Sequence, residues 1–180
     1  MKLKKDFFIS HFVSFVFTIL VWLSMTTSVR KGLALYDASI FEYFGYAMNH
    51  GQIMYTNLFD HKGPFIFIFN ALGYFIAGSL GIKALYLLCV YLFFYWTYRI
   101  SLLFSSKTIS ILVNAIVFII FEKFFEGGWG LEGYILPCIS YSLFVFLSYS
   151  LTSKIKPIEV ILNGVFFSIV FFTKANMVIF

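Results

Sequence analysis

Charge is what this chain has least of. Only 12% of its 180 residues are Asp, Glu, Lys or Arg, about half the share of an average soluble domain. So few charged groups could not cover the 61% of residues that are hydrophobic, 26 phenylalanines among them. The bilayer therefore replaces water as the main solvent. Strict alternation of apolar and polar residues is also missing. The apolar runs are continuous, whereas strands of a membrane barrel alternate over about ten positions. Cysteine is confined to Cys89 and Cys138, in or beside apolar runs and with no second Cys or His at ligand spacing; both read as small packing residues. There is no basic stripe either. The net charge of +5 comes from lysines and arginines scattered singly or in pairs, which excludes nucleic acid as a partner. Internal repeats, low-complexity linkers and a soluble domain are absent as well.

What remains is an all-α integral membrane protein, a multi-span helical bundle. "MKLKKDFFISHFVSFVFTILVWLSMTTSV" starts like a secretory signal, but its apolar part outruns the usual core of one and lacks an A-x-A site. It reads as an uncleaved first span over 7–28, with Lys2, Lys4 and Lys5 in the cytoplasm. An outer loop over 29–83 follows, then further spans near 84–104, 109–125, 134–151 and 158–180. The run 65–80 is short and holds Asn70, Gly73 and Gly78. If it crosses the membrane, Arg99, Lys107, Lys154 and Lys156 fall outside. If it is a re-entrant or juxtamembrane helix, those four become cytoplasmic, as the positive-inside rule prefers, and that is the arrangement adopted. The last run reaches Phe180 without a polar ending, as the first part of a longer protein would.

The outer loop collects the polar residues. In "DASIFEYFGYAMNHG" the apolar Ile40, Phe41, Phe44, Ala47 and Met48 follow helical spacing up to Gly51, which predicts an amphipathic helix lying on the bilayer. Asp37 at its start is a preferred N-cap residue, and a capping carboxylate still has a second oxygen to offer. In "FDHKGPF", Pro64 suits a first helical turn. The helix start behind Asp60, His61, Lys62 and Gly63 is an anion site by its unpaired N–H groups. The plainer alternative is a solvated turn with Lys62 paired to Asp60. His61 has no companion ligands for a metal and reads as a hydrogen-bonding side chain. In "EKFFEGGWGLEGY", Glu126 and Glu132 flank a glycine-rich turn that places Glu132 on the same aqueous side as Asp37; an ordinary polar loop is the alternative.

"YDASIFEYFGYAMNHGQIMYTNLFDHKGPFIFIFNALG" resembles the first outer loop of bacterial membrane glycosyltransferases of the GT-C architecture, related to protein O-mannosyltransferases and the aminoarabinose transferase of lipid A. The matching elements are Asp37, Gly51-Gln52-Ile53-Met54-Tyr55 and Asp60-His61-Lys62-Gly63-Pro64. "GLEGYILPCISYSLFVFLSY" and "FFTKAN" look like that family's second acidic loop and a following span. Two departures are Ala38 beside Asp37, where many relatives have a second acid, and Lys62-Gly63-Pro64 in place of Lys-Pro-Pro.

The resemblance implies an inverting transfer of a sugar from a polyprenyl-phosphate donor to an acceptor hydroxyl at the outer face of a bacterial plasma membrane. The acceptor would be a glycan, a lipid or a protein. Asp37 would be the general base, with Lys62, His61 and Gly63 around the donor phosphate. Tyr55, Asp60, Glu132 and Arg30 would complete the pocket, and the need for a divalent cation stays open. The rivals are a polytopic transporter or flippase, which should carry ionisable residues inside its spans, and a non-catalytic subunit of a cell-envelope glycan assembly system.

Overall fold

The computed structural model describes residues 2–24, 37–124 and 130–174, with side chains from residue 6 onward except at 122 and 124. The described residues form six helices: α1 (Lys2–Ser24), α2 (Asp37–Asn49), α3 (Pro64–Phe104), α4 (Lys107–Phe124), α5 (Glu132–Thr152) and α6 (Pro157–Phe171). Three of them, α1, α3 and α5, are long and apolar enough to cross a membrane. At 1.5 Å per residue α1 and α5 reach roughly 35 and 32 Å, enough for a hydrocarbon core of about 30 Å. Outward-facing Phe8, Phe12, Leu112, Ile116, Ile161 and Phe167 are more than half exposed, a surface that suits lipid rather than water. The molecule is an all-helical, multi-pass membrane protein.

α3 is two helices in series. Ala77 (φ −157°, ψ 35°) and Gly78 (φ 59°, ψ −146°) leave the helical region. The break falls inside the 65–80 run instead of after it. Its cause is local, because the Gly78 conformation is one that a side chain resists. The first limb, 64–76, then folds back on the second, 79–104. The two are so close that a Cβ on Gly73 would lie 2.7 Å from the Ile82 Cα, and one on Gly81 would collide with the Gly73 carbonyl. The first limb spans only about 20 Å.

Packing arranges the other helices around α3. α1 runs against its second limb through Val13, Phe17 and Val21, with Phe17 and Phe94 stacked at 5.4 Å. The buried Ser10 and Ser14 of α1 direct their hydroxyls to the carbonyls one turn back, both at 2.7 Å, so these two hydroxyls are satisfied where water is absent. α2 lies on the first limb by way of Phe41 and Phe44 against Phe67. Gly45 sits so near that a Cβ would be 2.8 Å from the Asn70 carbonyl oxygen. α5 follows the second limb in parallel, with Tyr134 against Tyr86 and Trp96 against Tyr141.

These contacts sort the loops between two ends. Lys107 Nζ meets Asp6 Oδ1 at 2.5 Å, which puts the start of α1 beside the α3–α4 turn. Arg99, near the end of α3, lies over the rings of Tyr95 and Phe144 at the same end. The α5–α6 turn with Lys154 and Lys156 belongs there too, because α6 returns from it to bring Lys174 to Glu132 at the start of α5. Asp37, the 50–63 loop, the start of α3 and the end of α6 occupy the opposite end. α4 begins two residues earlier than the 109–125 expectation. α6 stops at Phe171, short of the 158–180 span, where the Phe172 carbonyl accepts the Phe65 N–H at 3.3 Å.

Candidate functional site

The site is built on two helix starts and one helix end. α2 begins at Asp37, and its apolar face fixes the position of that residue by burying Phe41 and Phe44. The 50–63 loop turns at Gly51 (φ 85°) and again at Tyr55 (φ 64°). There the Tyr55 hydroxyl donates to the Lys62 carbonyl at 2.6 Å, while its ring packs edge-on to Phe67. Burial, and next the Asp60 carboxylate, push the Tyr55 phenol above its ordinary range, so it stays a donor through neutral pH. Asp60 closes a short turn by accepting the Lys62 N–H at 2.9 Å.

This loop holds the Lys62 side chain mostly buried, at 16% exposure. Its ammonium stands 3.5 Å from Asp37 Oδ2, 3.8 Å from Asp60 Oδ1 and 4.9 Å from the centre of the Phe41 ring. Asp37 and Lys62 come from different elements, 25 positions apart, and face each other. Asp60 also lies 3.5 Å from His61 Nδ1, and the His61 side chain is largely exposed.

Gly63 precedes Pro64 at the first turn of α3. A Cβ there would collide with the Phe172 carbonyl, so glycine lets α6 dock on the start of α3. One N–H of the expected anion cradle, that of Phe65, is already given to Phe172. The cationic side chains, more than the backbone, therefore define the site.

Between the start of α3 and the end of α6 lies a hollow of about 460 Å³. It is walled by His61, Lys62, Gly63, Phe172, Thr173 and Lys174, with Leu131 and Phe171 adding apolar surface. Lys174 is ion-paired with Glu132, which places Glu132 beside this hollow. Arg30 lies outside the described residues, as do Glu126 and Trp129. Among the described residues, no three His, Cys, Asp or Glu side chains form a metal-holding group.

Sequence reasoning assigned no role to Lys174. "FFTKAN" offers only a lysine after an apolar run, and its meaning depends on α6 returning to α5. It also assigned none to the layer beneath the site. There Glu42 is buried with one carboxylate oxygen that has no hydrogen-bond partner among the described residues. The buried Tyr134 hydroxyl donates to Asn70 Oδ1 at 3.3 Å.

No family model, no curated protein and no solved structure matches this chain. What fold and site define is a class: a multi-pass helical membrane protein with a carboxylate–ammonium pair and a cation-lined hollow at one end of the bundle.

Proposed function

We propose that this protein is a GT-C-type glycosyltransferase that takes a sugar from a polyprenyl-phosphate donor at the outer face of the membrane. The observation that carries the reading is the 3.5 Å approach of the Asp37 carboxylate to the Lys62 ammonium, beside a hollow whose apolar wall suits a lipid tail. Orientation supports it. The start of α1, Arg99, Lys107, Lys154 and Lys156 share one end of the bundle, which the positive-inside rule assigns to the cytoplasm. The site then opens on the other side.

In the reaction, Asp37 takes the proton of an acceptor hydroxyl. That oxygen bonds to the anomeric carbon from the face opposite the phosphate, the carbon–oxygen bond to phosphate breaks, and the lipid phosphate leaves with inversion. Lys62 neutralises the phosphate, which as a stable anion needs a fixed cation more than an acid. Because the base and the phosphate cation are adjacent, one bound sugar can reach both. Tyr55 acts by holding the 62 carbonyl and thereby the loop.

The test is Asp37→Asn, which keeps a good helix-start residue and removes the base. Membrane expression should be normal while sugar transfer falls by roughly 10²- to 10⁴-fold. Transfer at the wild-type rate would remove Asp37 from the chemistry.

A further inference from the structure

We infer that Lys174 is a second phosphate cation in this site, matched to the charge that appears on the lipid phosphate as the sugar leaves. The inference rests on the reading above that the ligand is a lipid-linked phosphate.

The distribution of charge around the hollow is its first support. Among the described residues, three carboxylates lie nearby, Asp37, Asp60 and Glu132, yet none of them lines the wall; the described ionisable side chains that do are Lys62, Lys174 and His61. Each acid touches an ammonium or His61 without entering the hollow. The acids sit behind the cations, and a ligand in the hollow meets the cations.

Unspent donors are the second support. The 3.5 and 3.8 Å separations of Lys62 from its acids are too long for hydrogen bonds. Among the described residues its three N–H groups are therefore free for a ligand. Among the described residues Lys174 gives one donor to Glu132 and keeps two. The two side chains are 16% and 34% exposed, so both are partly desolvated and bind anions more strongly than surface lysines would.

Charge balance then separates their roles. A sugar phosphodiester donor carries one negative charge. As the anomeric carbon–oxygen bond breaks, its electron pair goes to the phosphate oxygen, and the departing monoester approaches two negative charges. The acceptor proton goes to Asp37, so nothing on the phosphate side cancels the added charge. A single ammonium matches the diester; two match the monoester. A group that binds the developing charge better than the starting one speeds the step, and Lys174 is placed to be that group.

The experiment measures binding to the full chain in lipid nanodiscs, with farnesyl phosphate as the monoester, its methyl ester as the diester, and inorganic phosphate. Lys174→Gln should weaken farnesyl phosphate by roughly 10- to 100-fold and the methyl diester far less, with the retained diester binding showing that the fold is intact. Lys62→Gln should weaken both. Lys174→Arg should restore monoester binding, and Glu132→Gln should not reduce it. Inorganic phosphate binding as tightly as farnesyl phosphate would assign the site to the free ion and sink the lipid-linked assignment. Loss with Lys62→Gln but wild-type binding with Lys174→Gln would overturn the role of Lys174 and leave the donor reading standing. Equal losses from Lys174→Gln and Glu132→Gln would make the pair a structural strut. Binding indifferent to both lysines would remove the donor reading itself.

Discussion

The ammonium of Lys62 shows how much one side chain depends on its surroundings here. Phe41 covers one side of it, two carboxylates flank it, and its own carbonyl is tied down by Tyr55. The pair with Asp37, whose carboxylate is about half exposed, contributes little by itself, about 0–1 kcal/mol. Its value lies in preorganisation, because the loop has already met the entropic cost of holding the cation. Gly63 plays the complementary part by having no side chain. Gly63→Ala should force the Phe172 carbonyl away and separate α6 from the start of α3, an overpacking cost of roughly 1–3 kcal/mol. Thermal unfolding in detergent should register the loss. An unchanged midpoint would mean that the helices do not touch there.

At the scale of the element, the bend in α3 organises the site. Without it the 41 residues of α3 would be one rod of roughly 60 Å, and the loop before Pro64 would project far from α6. The bend returns the first limb to the body of the bundle, where α2 lies on it and the end of α6 meets its start. The Gly78 backbone, φ 59° and ψ −146°, admits no side chain without strain. Gly78→Ala should cost about 1–3 kcal/mol, and the same substitution at the helical Gly164, with open space around it, should be neutral or slightly stabilising. Comparing the two unfolding midpoints checks the claim. Equal midpoints would mean that the bend is not under this constraint.

For the molecule as a whole, the distribution of cations between the two ends makes a prediction about sidedness. With the buried Cys89 and Cys138 replaced by alanine, a cysteine at Asn57 should react with a membrane-impermeant maleimide added to intact cells. One at Lys154 should react only after the membrane is opened. Both positions are exposed, so a failure to label reports sidedness and not burial. Labelling of residue 154 from outside would invert the molecule and place the Asp37–Lys62 end in the cytoplasm, away from an extracytoplasmic acceptor.

Composition alone was enough to make the bilayer the solvent, since no water-soluble packing hides so many phenylalanines beneath so few charges. Local rules were enough for the helix at Asp37, for the helix start at Pro64 and for suspicion of the glycine-bearing run near 78. Each of these depends on neighbours within a turn or two. The resemblance put residues 37 and 62 in one pocket, but tertiary structure decided how closely carboxylate and ammonium meet, and it alone decided that α6 ends early and carries Lys174 to Glu132, 42 positions away. Contacts of that kind arise from how helices pack across the bundle. Helical periodicity says which face of a segment is apolar, but not which distant segment will cover it.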